Sequence, residues 1–149
     1  MHIGTIATRD VVFCQRDTSA LEAAQLMRSN HVGDLVVVEE RSGMRVPIGI
    51  LTDRDLAVEV MAKQVDPNGV TAGDIMTPDP MVAVEREDLV ETIQRMRWKG
   101  IRRMPVTDDR GELMGIATLD DLVEFLAQTL VDVSHIGRLQ QIEEQSFRP

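Results

Sequence analysis

The sequence predicts an α+β fold of two βαββα repeats packed about a pseudo-two-fold axis, with an extra C-terminal helix. Three observations predict it. Gly49-Ile50-Leu51-Thr52-Asp53-Arg54-Asp55-Leu56 returns as Gly115-Ile116-Ala117-Thr118-Leu119-Asp120-Asp121-Leu122, an offset of 66 residues (49 to 115). Ile6-x-Thr8-x-Asp10 matches Ile75-x-Thr77-x-Asp79 at an offset of 69 (6 to 75). At that second offset Glu22, Gln25, Met27 and Arg28 also match Glu91, Gln94, Met96 and Arg97. The change from 69 to 66 places a length difference in the loop between the second and third strands, where insertions are tolerated.

Each element has a local cause. In the first copy Val11–Gln15 reads as a short strand. Ser19 stands three residues before Glu22, a capping box. Ala20, Ala23, Ala24 and Met27 then recur at helical spacing, and Asn30 and Gly33 punctuate the helix end. Leu35–Val38 is a continuous apolar, β-branched run, the pattern of a buried strand. Ser42-Gly43 marks a turn, Pro47–Leu51 is the third strand, and Thr52 or Asp53 caps a second helix running to about Ala62. The second copy repeats the plan. Pro80–Val84 is a strand, Asp88 and Glu91 form the equivalent capping box, and Leu89, Ile93 and Met96 make the buried stripe. Met104–Val106 and Leu113–Ala117 flank an Asp109-Arg110-Gly111 turn, and Leu119 to about Val131 is the last repeat helix. The repeats therefore span residues 5–64 and 71–131, joined by the short linker Gln64–Val70. Each half is too small to bury a strong core alone, so one shared core is expected. Residues 132–149 form a further helix and tail, because Ile136, Leu139 and Ile142 recur at helical spacing.

Composition excludes several function classes. The chain of 149 residues carries a formal net charge of −9, so it lacks the basic face of a general nucleic-acid binder. Basic residues cluster locally at Arg95, Arg97, Lys99, Arg102 and Arg103. No apolar run is long enough to cross a bilayer, and the first residues lack the pattern of a secretion signal, so a cytoplasmic protein is expected. Cys14 is the single cysteine and forms no internal disulfide; a buried side chain is its expected role. His2, His31 and His135 show no metal-ligand spacing. No nucleophile–base pair or phosphate-binding glycine loop is visible, which argues against an enzyme.

The Gly-apolar-x-Thr-x-x-Asp corners, with Ile75-Met76-Thr77-Pro78 and Arg102-Arg103-Met104-Pro105-Val106, resemble the CBS domain, and two in tandem resemble a CBS pair, or Bateman module. The resemblance covers residues 5–131. It implies a regulatory binding module in which AMP, ADP or ATP, or else S-adenosylmethionine or NAD, lies in clefts between the repeats. It also implies a homodimer and an effector protein that reads the bound state. By the same resemblance, Asp55 and Asp121 hold ribose hydroxyls, Thr52 and Thr118 sit near phosphate, and Arg102 or Arg103 reaches the phosphates. AMP is the foremost expected ligand.

The chemistry of the corner is compatible with that. An ionised carboxylate only accepts hydrogen bonds, which suits the two donor hydroxyls of a ribose. A threonine hydroxyl and the free amides of a helix start donate to phosphate oxygens. A threonine and an aspartate at a helix start are also ordinary capping residues, so one corner alone leaves both readings open. The copies differ in charge. Arg54 is replaced by Asp120, and Gly33-Asp34 stand where the second copy has Arg102-Arg103. Phosphate is therefore expected near the pseudo-two-fold axis, within reach of Arg54 and Arg103. Asp120 beside Asp121 makes the second cleft more acidic, and the clefts are expected to differ in affinity. The alternative is a ligand-free dimerisation scaffold.

Overall fold

The computed structural model describes residues 1–148. Strands β1 (Phe13–Gln15), β2 (Asp34–Arg41), β3 (Met44–Thr52) and β4 (Thr77–Pro78) form one sheet in that order. Strands β5 (Ala83–Val84), β6 (Arg103–Thr107) and β7 (Leu113–Thr118) form a second. In both sheets the first pairing is parallel and the next antiparallel. Helices α1 (Ala20–Asn30), α2 (Asp53–Asp55), α3 (Ala72–Ile75), α4 (Leu89–Lys99) and α5 (Leu119–Phe147) complete the two βαββα units.

The halves are cross-strapped. β4 lies in sequence at the head of the second repeat but pairs with β3 of the first, Gly49 opposite Pro78 and Ile50 opposite Thr77. Thr8, its counterpart 69 residues earlier, bridges Ile116 of β7 in the second sheet. The same exchange recurs at His2 with Asp88 and at Ser19 with Thr71. Close backbone approach explains the glycine that opens each corner. A Cβ on Gly115 would lie 3.0 Å from the Thr8 carbonyl oxygen, and one on Gly49 would lie 3.1 Å from that of Thr77.

This exchange revises the expectation of one shared core. Ile3 and Ala7 complete a cluster with Leu89, Met96, Met104 and Leu122 in the second half. Ala72 completes a cluster with Met27, Leu35, Val37 and Leu51 in the first. A third cluster of Val36, Val38, Leu113 and Ile116 joins the two sheets. Successive strand side chains point to opposite faces, so Leu35 and Val37 face the first core while Val36 and Val38 face the seam. That division is why the run is apolar without alternation.

Four sequence expectations change. The strand read at Pro80–Val84 shrinks to Ala83–Val84, because Asp79 adopts a left-handed conformation (φ 49°) that turns the chain from the first sheet toward the second. The Asp88 cap works alone: its carboxylate accepts from the amides of Val90 (2.9 Å) and Glu91 (3.3 Å) without a return bond from Glu91. The helix after Thr52 is α only through Asp55 and continues as a π-helix over Leu56–Met61; the Ala62 amide bonds back five residues to Ala57. The tail helix is not separate from the repeat helix. Val131-Asp132-Val133-Ser134 holds no helix breaker, so α5 runs unbroken for 29 residues, about 43 Å at 1.5 Å per residue. From Leu126 onward every described residue is exposed.

Candidate functional site

Both threonine–aspartate corners are reciprocal capping boxes. Thr52 N–H donates to Asp55 Oδ2 (2.8 Å) and Asp55 N–H to Thr52 Oγ1 (3.2 Å). Thr118 N–H donates to Asp121 Oδ2 (3.0 Å), Asp121 N–H to Thr118 Oγ1 (3.2 Å), and the Thr118 hydroxyl to Asp121 Oδ2 (2.7 Å). Each aspartate thus commits Oδ2 to its own backbone, and its Oδ1 has no hydrogen-bond partner among the described residues. The carboxylate that caps the helix is also the one free to accept from outside it.

The corners face each other across one ion pair. In register, Asp34 of β2 lies opposite Thr52 of β3, and Arg103 of β6 opposite Thr118 of β7. Arg103 Nε is bonded to Asp34 Oδ2. Asp34 and Arg103 are themselves counterparts at the 69-residue offset, so this pair lies on the pseudo-two-fold axis. Both side chains are partly buried, Asp34 at 21% and Arg103 at 34% exposure, so the charges are only partly screened.

A cavity opens on either side of the axis. The first, about 430 Å³, is lined by Ile50, Thr77–Val82, Arg95, Lys99, Ile101 and Arg103. The second, about 280 Å³, is lined by Thr8, Asp10–Val12, Val32–Asp34, Arg103, Ile116, Thr118, Asp120 and Asp121. Under the two offsets Ile50, Thr77, Asp79, Pro80, Met81, Ile101 and Arg103 of the first correspond to Ile116, Thr8, Asp10, Val11, Val12, Val32 and Asp34 of the second. Arg103 is in both.

The structure brings Arg103, Thr118, Asp120 and Asp121 together around the second cavity. Thr52 and Asp55 line neither cavity. Ile50 is the residue of that corner that lines the first. Arg54 and Arg102 are exposed, line neither cavity, and make no ion pair among the described residues. Lys99, Asp34, Asp10 and Asp79 are wall residues that motif reading passed over. The repeat offset could have found them: Asp10 and Asp79 recur within the matched Ile-x-Thr-x-Asp, and Asp34 aligns with Arg103.

The remaining candidates have structural roles. Cys14 is buried, and desolvation pushes its thiol up to about 11, which holds it protonated and unreactive. His31 is the left-handed C-cap of α1 (φ 54°), where Gly100 caps α4 (φ 64°). Trp98 is exposed beside Lys99, whose ammonium lies 5.0 Å from the ring centre. No group of three or more potential metal ligands occurs among the described residues, and none of the described helices is long and apolar enough to cross a membrane.

The family model for the CBS domain matches residues 3–62 and 72–128. An uncharacterized protein of Methanopyrus kandleri is 39% identical over 123 residues, an alignment covering 82% of this chain and 61% of that protein. A CBS domain pair solved in complex with 5'-methylthioadenosine and S-adenosyl-L-methionine superposes with a TM-score of 0.72 at 25% identity, covering 85% of this chain and 99% of that one. A CBS domain protein from Pyrobaculum aerophilum complexed with AMP has a TM-score of 0.72 at 22% identity, over 82% of this chain and 90% of that one, a likeness of fold.

Proposed function

The chain belongs to the CBS domain family, as a tandem pair of such domains, and from that premise we propose that it is a regulatory module binding an adenine nucleotide, AMP foremost, between its repeats. The observation that carries this reading is the paired geometry at the axis. Two Thr-x-x-Asp corners, each with a free carboxylate oxygen, adjoin the ion pair of an arginine shared by two cavities, and the second corner lines one of them. Such a place supplies acceptors for ribose, donors for phosphate and apolar wall for a base. The relatives bound to AMP and to S-adenosylmethionine support the ligand class. The reading is of a cytoplasmic signalling protein, not an enzyme.

Binding between halves with separate cores shifts their relative angle, and an effector protein reads that shift. A homodimer is part of this reading. An apolar groove of about 610 Å³ lies between α1 and the π-helix, lined by Ala20, Leu21, Ala24, Leu56, Val60 and Met61 among others. In the second repeat, bulkier Leu89 and Ile93 stand in place of Ala20 and Ala24. Exposed Leu126, Leu130, Val133 and Ile136 of α5 offer apolar surface suited to a second copy.

Thermal-shift titration with AMP, ADP, ATP, NAD and S-adenosylmethionine tests the ligand. A true ligand at a hundred times its dissociation constant stabilises the fold by about 2.7 kcal/mol. Silence from all five leaves the scaffold reading, which the capping bonds of Asp55 and Asp121 would then explain in full.

A further inference from the structure

The two cavities share part of an equivalent lining and carry opposite charge. Lys99 stands where the first repeat has Asn30, Arg95 where it has Leu26, and Arg103 where it has Asp34. The first cavity is therefore walled by three bases against one acid, Asp79. The second is walled by four acids, Asp10, Asp34, Asp120 and Asp121, against the single base Arg103. Local bonding decides which bases are free. Arg95 is held by Glu87 and by the Val82 carbonyl (3.0 Å). Lys99 has no ion-pair partner among the described residues, and Arg103 is held by Asp34 alone.

We propose that a phosphorylated adenosine ligand enters only the first cavity, with Lys99 and Arg103 as its phosphate partners, and that Asp34 is the internal competitor it must displace from Arg103. The inference rests on the nucleotide-binding reading, with Asp79 as the carboxylate in the wall of that cavity. A phosphate monoester carries up to two negative charges, so two walls of opposite sign discriminate strongly over a few ångströms. Once Arg103 turns to the ligand, Asp34 is left unpaired in the wall of the second cavity, which becomes more acidic still. The first anion thereby disfavours a second, a coupling built from one shared side chain. The acidic cavity is left to uncharged or cationic adenosine compounds.

Isothermal titration of the full chain with AMP and with adenosine tests this, using wild type, Lys99→Ala and Asp34→Asn, each checked for folding by thermal melting. Lys99 is exposed and Asp34→Asn keeps the side-chain shape, so both variants retain the fold. The expected result is one AMP per chain, an affinity for AMP about tenfold or more weaker in Lys99→Ala, and a tighter one in Asp34→Asn. Adenosine affinity stays unchanged in Lys99→Ala. Two equivalent AMP per chain, or AMP binding indifferent to Lys99→Ala, overturns the inference while the nucleotide reading survives. Failure of AMP and adenosine alike to bind wild type overturns both.

Discussion

At the scale of single residues, position in the repeat assigns roles that residue type alone leaves ambiguous. His31 and Gly100 occupy equivalent left-handed caps, but only glycine adopts that conformation without steric cost. That cost is about 1–2 kcal/mol for an L-residue, part of which glycine returns through its freer unfolded chain. His31→Gly should therefore raise stability by roughly 0.5–1 kcal/mol, read as a higher urea midpoint with an unchanged slope. Three aspartates at helix starts and a turn contribute to the acid response. Backbone amides donate to Asp74, Asp88 and Asp108 and hold each below the ordinary value of 3.8. A depressed folded value means that their stabilisation is complete above the unfolded value. It is lost as pH falls below about 3.8 toward the folded value. The melting temperature should fall over that window, and less steeply in Asp88→Asn, whose side-chain oxygen still caps α4 without titrating.

At the scale of elements, the exchanged segments bind the halves together. Gly4 is the sharpest case. A Cβ there would lie 2.8 Å from the Glu85 carbonyl oxygen and 2.9 Å from the Glu85 Cβ. Gly4→Ala should destabilise by about 1–3 kcal/mol, the usual cost of overpacking, and chemical denaturation would measure it. The N-terminal segment is thus part of the second half's core, through Ile3. Much of this level was legible beforehand. The Ser19 box, the α1 and α4 stripes and β2 follow from short-range patterning. The π-helix over Leu56–Met61 was not read in advance, although at the 66-residue offset Val58 and Glu59 stand opposite Glu124 and Phe125, so its apolar spacing departs from that of its regular counterpart in α5. The unbroken α5 could have been read from the absence of a breaker between Val131 and Ser134.

At the scale of the whole molecule, α5 raises the question of partners. Its last 22 described residues are exposed, including Leu130, Val133, Ile136, Leu139 and Ile142. Most helical stability in proteins comes from packing an apolar face, and this stretch packs none against the body. Removing residues 132–149 should therefore leave the melting temperature of the body nearly unchanged while weakening self-association, as followed by sedimentation over a concentration series. Retention of the same dimer would move the interface elsewhere.

The sequence by itself determined the duplication, the fold class and the two Thr-x-x-Asp corners, because these depend on local periodicity, capping and an offset that survives in the residues. Only the tertiary structure decided that each half completes the other's core, that Asp34 and Arg103 meet on the axis, and that the cavities carry opposite charge. Those facts join residues far apart in the chain, 69 positions for Asp34 and Arg103. Which side chain reaches across a seam is fixed by the packing of two sheets, and no local pattern encodes it.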